Sequence, residues 1–276
     1  MAVMTRRTVL KTLLASGVGA ATGTAAYGFF YGRHDLSVTR ADLSVRSLPP
    51  ALAGLRIGLL TDIHRSALVP HEDVARAVAL MMEQKPDLIV LGGDYVTWGD
   101  RAFVAPVAEA LAPLAAASGV FGILGNHDDD HDMPAALTRN GVQMLKDART
   151  RLTIRGETVD LAGIRFWTKR QMDIAPIVRG SAPITILLAH DPRRLAEASA
   201  LNIPLVLSGH THGGQVVLPV VGAWAAQKFP VAEGIASRGE TTMFVSRGVG
   251  TVYVPVRINC PPEVALLTLT AAPPTG

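Results

Sequence analysis

Asp87-Leu88-Ile89-Val90-Leu91-Gly92-Gly93-Asp94 is an unbroken apolar run that empties into two glycines and a carboxylate. A short apolar run without alternation, bounded by turn residues, reads as a strand buried on both faces. The same arrangement recurs on either side. Upstream, Leu55-Arg56-Ile57-Gly58-Leu59-Leu60 leads into Thr61-Asp62-Ile63-His64. Downstream, residues 120–124 lead into Gly125-Asn126-His127-Asp128, residues 184–188 into Ala189-His190, and residues 203–207 into Gly209-His210-Thr211-His212-Gly213-Gly214-Gln215. Helical patterns lie between these runs. Residues 72–84 place Val74, Val78, Met81 and Met82 at helical spacing before Lys85-Pro86, and residues 103–117 are alanine-rich, with interruptions at Pro106 and Pro113. Asp191 and Pro192 suit a helix N-cap and first turn, which predicts a helix through Ala198.

Strand, polar turn and helix in repeated order predict an α/β layered fold with ligand sites beyond the strand ends. Residues 36–45 alternate as a first strand, and Leu48-Pro49-Pro50 breaks it. From 143 to 167 the apolar runs shorten and β-branched residues become commoner, which predicts an antiparallel section. Residues 241–246, 252–256 and 264–269 are further strands, and Pro273-Pro274 marks a frayed end. This β-rich later half implies two mixed sheets rather than one parallel sheet.

At 276 residues the chain suits one large domain behind a short appendage. Its 49% hydrophobic and 18% charged content excludes extensive disorder. The net charge of +3 misleads, because residues 1–34 hold Arg6, Arg7, Lys11 and Arg33 and no acid; without those four cations the remainder is near −1. A nucleic-acid partner is therefore not expected. A single cysteine, Cys260, rules out an intramolecular disulfide and a cysteine-pair zinc site, so any metal must be held by His, Asp, Glu or Asn.

Thr5-Arg6-Arg7 precedes 21 residues, 12–32, that carry no charge. The paired arginines resemble a twin-arginine export signal; an ordinary basic flank is the alternative. About 20 apolar residues suffice to cross a bilayer, while Thr24-Ala25-Ala26 offers small residues for cleavage. Residues 1–34 are thus expected to be a twin-arginine signal or an N-terminal membrane anchor, and 35–276 the catalytic domain. That domain is expected outside the cytoplasmic membrane, periplasmic or membrane-anchored, with the twin-arginine export machinery as a partner.

The polar residues at the strand ends are Asp62, His64, Asp94, Asn126, His127, His190, His210 and His212, and they include five of the eight histidines. Imidazole is the commonest side-chain metal ligand. In an extended chain, alternation would turn Asp62 and His64, and likewise His210 and His212, to one side. Each motif alone is weak. Glycine before aspartate is ordinary turn chemistry, and the tetrapeptide Gly209-His210-Thr211-His212 leaves a solvated loop and a ligand pair both open. Five histidines falling selectively at strand ends favour metal.

In order and separation these motifs resemble the calcineurin-like metallophosphoesterase superfamily, over nearly all of the chain after residue 50. Asp62/His64, Gly93-Asp94, Gly125-Asn126-His127-Asp128, His190 and Gly209-His210-Thr211-His212 carry the resemblance. It implies a metallophosphatase fold, a layered α-β-β-α sandwich of two mixed β-sheets flanked by helices. It also implies two divalent metal ions, one held by Asp62, His64 and His212 and one by Asn126, His190 and His210, with Asp94 bridging. Ligands of this kind suit manganese, iron or zinc better than calcium.

The implied activity is phosphodiester hydrolysis by a metal-bridging hydroxide, with Asp94, Asn126 and His127 at the reacting group and His127 protonating or polarising the leaving oxygen. Asp128 could hold the His127 ring or belong to a solvated acidic loop. The twin arginines, Leu55-Arg56-Ile57, Ser246-Arg247-Gly248-Val249-Gly250 and Arg257-Ile258-Asn259-Cys260-Pro261-Pro262-Glu263 resemble a bacterial exported, envelope-associated branch.

Arg65 and Ser66 stand where many relatives carry a small residue, so Arg65 could meet a phosphate or only cover the surface. Residues 218–224 are apolar close to the site. They read as a core hairpin, or as a wall on which Trp224 meets an amphiphilic, lipid-linked substrate. Beside this small-molecule or lipid phosphodiester hydrolase stand two alternatives, a nucleotide-lipid pyrophosphatase of envelope biosynthesis and a non-catalytic metal-binding scaffold.

Overall fold

The computed structural model describes residues 6–272. Helix α1 is Arg6–Phe30, α2 His71–Glu83, α3 Val104–Leu111, α4 Asp132–Arg139, α5 Gln171–Val178 and α6 Leu195–Ala200. The strands are β1 Ser37–Val45, β2 Arg56–Leu60, β3 Leu88–Leu91, β4 Val120–Gly122, β5 Gln143–Met144, β6 Ala148–Ile154, β7 Glu157–Gly163, β8 Ile184–Leu188, β9 Leu205–Ser208, β10 Gly234–Arg238, β11 Thr241–Val245 and β12 Glu263–Ala271. They form two six-stranded sheets, ordered β1-β12-β2-β3-β4-β5 and β10-β11-β9-β8-β7-β6. Both are mixed: β2, β3, β4 and β5 pair parallel while β12 and β2 pair antiparallel, and β7, β8, β9 and β11 pair parallel while β6 and β10 are antiparallel edges. The expected α/β sandwich of two mixed sheets with flanking helices is the observed one.

Strand alternation explains the layering. Ile57, Leu59, Leu88 and Val90 face Leu161, Ile186, Leu188, Leu205 and Phe244 of the other sheet. Their neighbours Leu60, Ile89 and Leu91 turn outward onto Val74, Val78 and Met81 of α2, Val107 and Leu111 of α3 and Leu137 of α4. On the far side Leu187, Val206 and Met243 meet Ile174 of α5 and Leu195 and Ala198 of α6. Because β2, β3 and β4 run parallel, their C-terminal ends share one edge; the ends of β8 and β9 lie at the matching edge of the second sheet.

Several expectations needed correction. Residues 252–256 form no strand: the side chain of Gln215 takes the place of a partner, its amide nitrogen donating to Val252 O and Val254 O (3.1 and 3.0 Å) and its oxygen accepting from Val252 N (2.7 Å). Residues 218–224 are not core. A short turn bridges Leu218 to Gly222, and Val221 and Trp224 are exposed. The section from 143 is only partly antiparallel, since β5 joins β4 in parallel before the β6–β7 hairpin. The helix expected from Asp191 starts as a 3-10 turn, Pro192–Arg194, capped by the Asp191 side chain, and becomes α6 only at Leu195. Helices α4 and α5 and strand β10 had no counterpart in the sequence reading.

Helix α1 is exposed along most of its length, while Gly28 and, just beyond it, Gly32 lie against the backbone of Arg257. No helix among the described residues is long and apolar enough to cross a membrane. Thr5 and Pro273-Pro274 lie outside the described residues.

Candidate metal centre

Each strand carrying a predicted ligand stops short of it, and the ligand sits in the following loop. Asp62, His64, Asp94, His210 and His212 all have left-handed backbone, with φ between 50° and 73°. The alternation expected for Asp-x-His and His-x-His therefore does not occur: the paired residues are aimed by tight turns, not by an extended chain. Such conformations are unfavourable for residues with a side chain and persist where surrounding bonds impose them. Here Asp62 N donates to Gly93 O (2.9 Å), His64 N to Asp94 O (3.0 Å) and Gly209 N to His190 O (3.1 Å), tying the loops to one another. Glycine permits the close approach, since a Cβ on Gly125 would sit 2.0 Å from Asp94 Oδ1 and one on Gly209 2.2 Å from Asp62 Oδ2.

The loops bring together two ligand groups, Asp62 with His64 and His212, and Asp94 with His190 and His210; the ligand atoms of each lie within 4.8 Å of one another. Asp94 Oδ2 is 3.5 Å from His64 Nε2 and 3.1 Å from His190 Nε2, so one carboxylate oxygen reaches both groups. Its other oxygen accepts from His127 N (2.8 Å). His212 Nε2 is 3.3 Å from Asp62 Oδ1 and 3.1 Å from His64 Nε2. Asn126 lines the same cavity as Asp94, His210 and His212. Its Oδ1 is buried without a hydrogen-bond partner, and His190 Nε2 makes no aligned hydrogen bond despite its closeness to Asp94. Converging imidazoles and carboxylates with unpartnered buried acceptors fit a pair of divalent cations.

The surroundings orient the donors. His190 Nδ1 donates to Gly92 O (2.8 Å), which leaves Nε2 as the lone-pair nitrogen of the neutral ring. His64 Nδ1 lies 3.2 Å from Thr97 Oγ1, and Asp62 accepts from Thr61 Oγ1 (2.8 Å) and His210 N (2.9 Å). Burial lowers His64 to about 4 and, aided by the charge of His190, His210 to about 3; burial also holds His212 well below its ordinary value. These rings are neutral, as ligation requires. His190 behaves oppositely: burial would lower it, but the carboxylates of Asp94 and Asp62 raise it to about 10. Burial raises Asp62 to about 6; it also acts to raise Asp94, which His190 nonetheless holds well below the usual carboxylate range.

His127 stands at the rim, its ring centroid 4.9 Å from that of His64. Its Nδ1 accepts from Trp98 N (3.1 Å), so Nε2 carries the proton of the neutral ring. Asp128 does not hold that ring. Its carboxylate accepts from the backbone N–H groups of Asp94, Tyr95 and Gly125 (2.7, 2.7 and 2.8 Å) and thereby fixes the loops that present Asp94 and Asn126. Arg65 turns away from the centre, donating to Ser66 O and Val69 O and lying over the Phe103 ring.

The sequence reading missed Trp98, which acts through its backbone and so left no side-chain signal. It also missed Phe166 and Phe229, whose rings pack 5.2 and 5.1 Å from His210. Arg257, noted only within a longer motif, is fully buried and donates to the carbonyls of Arg247, Gly248, Gly250, His212 and Cys260, bracing the loop of His212.

A family model described as calcineurin-like phosphoesterase matches residues 55–214, the interval from β2 to the end of the His210–His212 turn. Among curated proteins the chain is 35% identical over 226 residues to phosphodiesterase YaeI of Escherichia coli, covering 79% of this chain and 83% of that one. It is 29% identical over 285 residues to the metallophosphoesterase YkuE of Bacillus subtilis, covering 98% and 99%. Among solved structures, sulfate thiohydrolase SoxB of Thermus thermophilus superposes with a TM-score of 0.50 at 12% identity, over 80% of this chain and 58% of that one, a likeness of fold.

Proposed function

The chain belongs to the calcineurin-like phosphoesterase family, and from that premise we propose that it hydrolyses phosphodiesters at a binuclear metal centre. Asp62, His64 and His212 would hold one ion and Asn126, His190 and His210 the other, with Asp94 shared. The observation that carries this reading is the single Asp94 oxygen lying within 3.5 Å of a histidine from each group. Two bound divalent ions of the manganese, iron or zinc type supply Lewis acidity and a nucleophile derived from water.

The chain's own residues account for the rest. The Nε2–H of His127, fixed by the Trp98 amide, donates to the leaving oxygen, and the Asn126 amide lies beside it on the same cavity. The oxygen of water forms the new P–O bond as the ester P–O bond breaks. The departing alkoxide takes one proton, and the products are a phosphomonoester and an alcohol.

The test is release of p-nitrophenol from bis(p-nitrophenyl) phosphate by the purified chain supplied with manganese. Asp94→Asn is expected to abolish turnover, and His127→Ala to lower kcat by about 10²–10⁴. A wild type as inactive as both variants across manganese, iron and zinc would leave the scaffold alternative standing.

For its location, we propose export through the twin-arginine pathway. Arg6 and Arg7 are exposed at the start of α1, ahead of the charge-free run, which supports this reading. Replacing both with lysine should retain the protein in the cytoplasmic fraction; unchanged export would defeat the proposal.

A further inference from the structure

The cavity at the metal groups, about 460 Å³, has two unlike sets of lining residues. Its polar lining is Asp94, Asn126, His127, His210 and His212; its apolar lining is Leu218, Val221, Trp224, Val252 and Val254, with the Tyr253 ring 6.2 Å from that of His127 where the two meet. The polar side chains along that second wall are already engaged. Gln215 is bonded at both amide atoms to Val252 and Val254, and Thr211 Oγ1 donates to Ala232 O while accepting from Gly213 N. Leu218 and Gly222 bond each other's backbone. Among the described residues of that wall, the Trp224 indole N–H, the Tyr253 hydroxyl and the Lys228 ammonium, the last 5.2 Å from the Phe229 ring, remain to meet a ligand. A nucleoside or sugar entering this arm would exchange its hydration for few replacement hydrogen bonds, which is costly. A hydrocarbon chain loses nothing and gains burial. The wall is also open to solvent before a ligand arrives, with Trp224 72% and Val254 56% exposed, and a group of exposed apolar side chains continuous with a reactive centre marks a binding surface.

We propose that this arm is a hydrocarbon-binding subsite, so that the substrate is an amphiphilic phosphodiester. Its alkyl or acyl chain lies against Leu218, Val221, Trp224 and Val254, Lys228 faces its anionic part, and its phosphate sits at the two ligand groups. This deepens, and rests on, the phosphodiesterase reading.

The test uses manganese-loaded protein and methyl, hexyl and decyl p-nitrophenyl phosphates, which share one scissile bond and one leaving group. The expected result is a rise in kcat/KM of at least tenfold from methyl to decyl, and a fall of at least fivefold in the decyl-to-methyl ratio in Trp224→Ala and in Leu218→Ser/Val254→Ser. Both variants alter exposed side chains, and their thermal melting reports whether they fold. Calorimetry with dodecylphosphonate, whose C–P bond is not hydrolysed, below its micelle-forming concentration gives a readout without turnover; the wild type should bind at least fivefold more tightly than the double variant. Presenting the decyl ester in dioleoylphosphatidylcholine vesicles separates the sources. Faster cleavage on vesicles identifies a membrane lipid, and faster cleavage in solution a free amphiphile. Turnover independent of chain length, or equal losses on methyl and decyl esters, overturns the subsite alone. No turnover of any ester with any of the three metals overturns the phosphodiesterase reading beneath it.

Discussion

At His190 the Nδ1–H is committed to the Gly92 carbonyl, while Nε2 faces two carboxylates that raise the ring to about 10. In the metal-free protein the ring is therefore protonated at any pH below about 10, whereas ligation demands the neutral form. Ion binding must expel that proton, so affinity at this group rises with pH until the ring has lost it. His64, already neutral above about 4, has none to release near neutrality. At pH 7.5, calorimetry in buffers of different ionisation enthalpy should report at least about one proton released on filling both groups, the one from His190 and any further one from metal-bound water. No release would show that His190 is neutral beforehand. Asp128 makes a different demand: Asp128→Ala would leave three backbone N–H groups without their acceptor, a loss of about 1–3 kcal/mol for each that stays buried and unpaired. A lower melting temperature together with weaker metal binding is expected, whereas a variant that loses activity but neither of these would place Asp128 on the reaction instead.

At the scale of the elements, the centre consists of strand-end loops packed against each other's carboxylates. Gly209→Ala would push a Cβ to within 2.2 Å of Asp62 Oδ2. That should displace Asp62 and weaken metal binding at the Asp62/His64/His212 group more than at the other, as titration with manganese can show; equal affinity at both would mean the loop yields freely. The same scale explains which elements were legible. Helix α2 was, because Val74, Val78 and Met81 recur on one face and Pro86 follows the end. Residues 252–256 were misread because β-branched residues carry a strand signal whatever meets their backbone, and the group that meets it is a glutamine side chain 37 residues away. Neither alternative left open for Asp128, a hold on the His127 ring or a solvated loop, is observed, because the turn aims the carboxylate back into the N–H groups of its own and the neighbouring loop.

For the whole molecule, both sheets contribute candidate ligands, Asp62, His64 and Asp94 from loops of the first and His190, His210 and His212 from loops of the second. Ions bound at these groups would therefore join the two layers, and a ligand that binds only the folded state stabilises it. At about 100 times its dissociation constant, one ion contributes about 2.7 kcal/mol. That corresponds to a rise in melting temperature of roughly 5–11 °C at this size. Removing metal with a chelator should reverse the shift, and Asp94→Asn should blunt it. A melting temperature indifferent to manganese, iron and zinc alike would remove the cross-layer role.

The order of apolar runs and polar turns by itself determined that the chain builds an α/β layered fold with two mixed sheets. The motifs at the turns pointed to the calcineurin-like phosphoesterase family, because burial periodicity and residue type are local properties. The tertiary structure alone decided that Asp62, His64, His210 and His212 are aimed by left-handed turns rather than by strand alternation, and that Trp98 orients His127 through its amide. It alone decided, too, that residues 218–224 wall a cavity instead of filling a core. Each of these depends on atoms brought together from distant loops, and side-chain direction in a turn follows from the partners that hold it, which the spacing of letters does not carry.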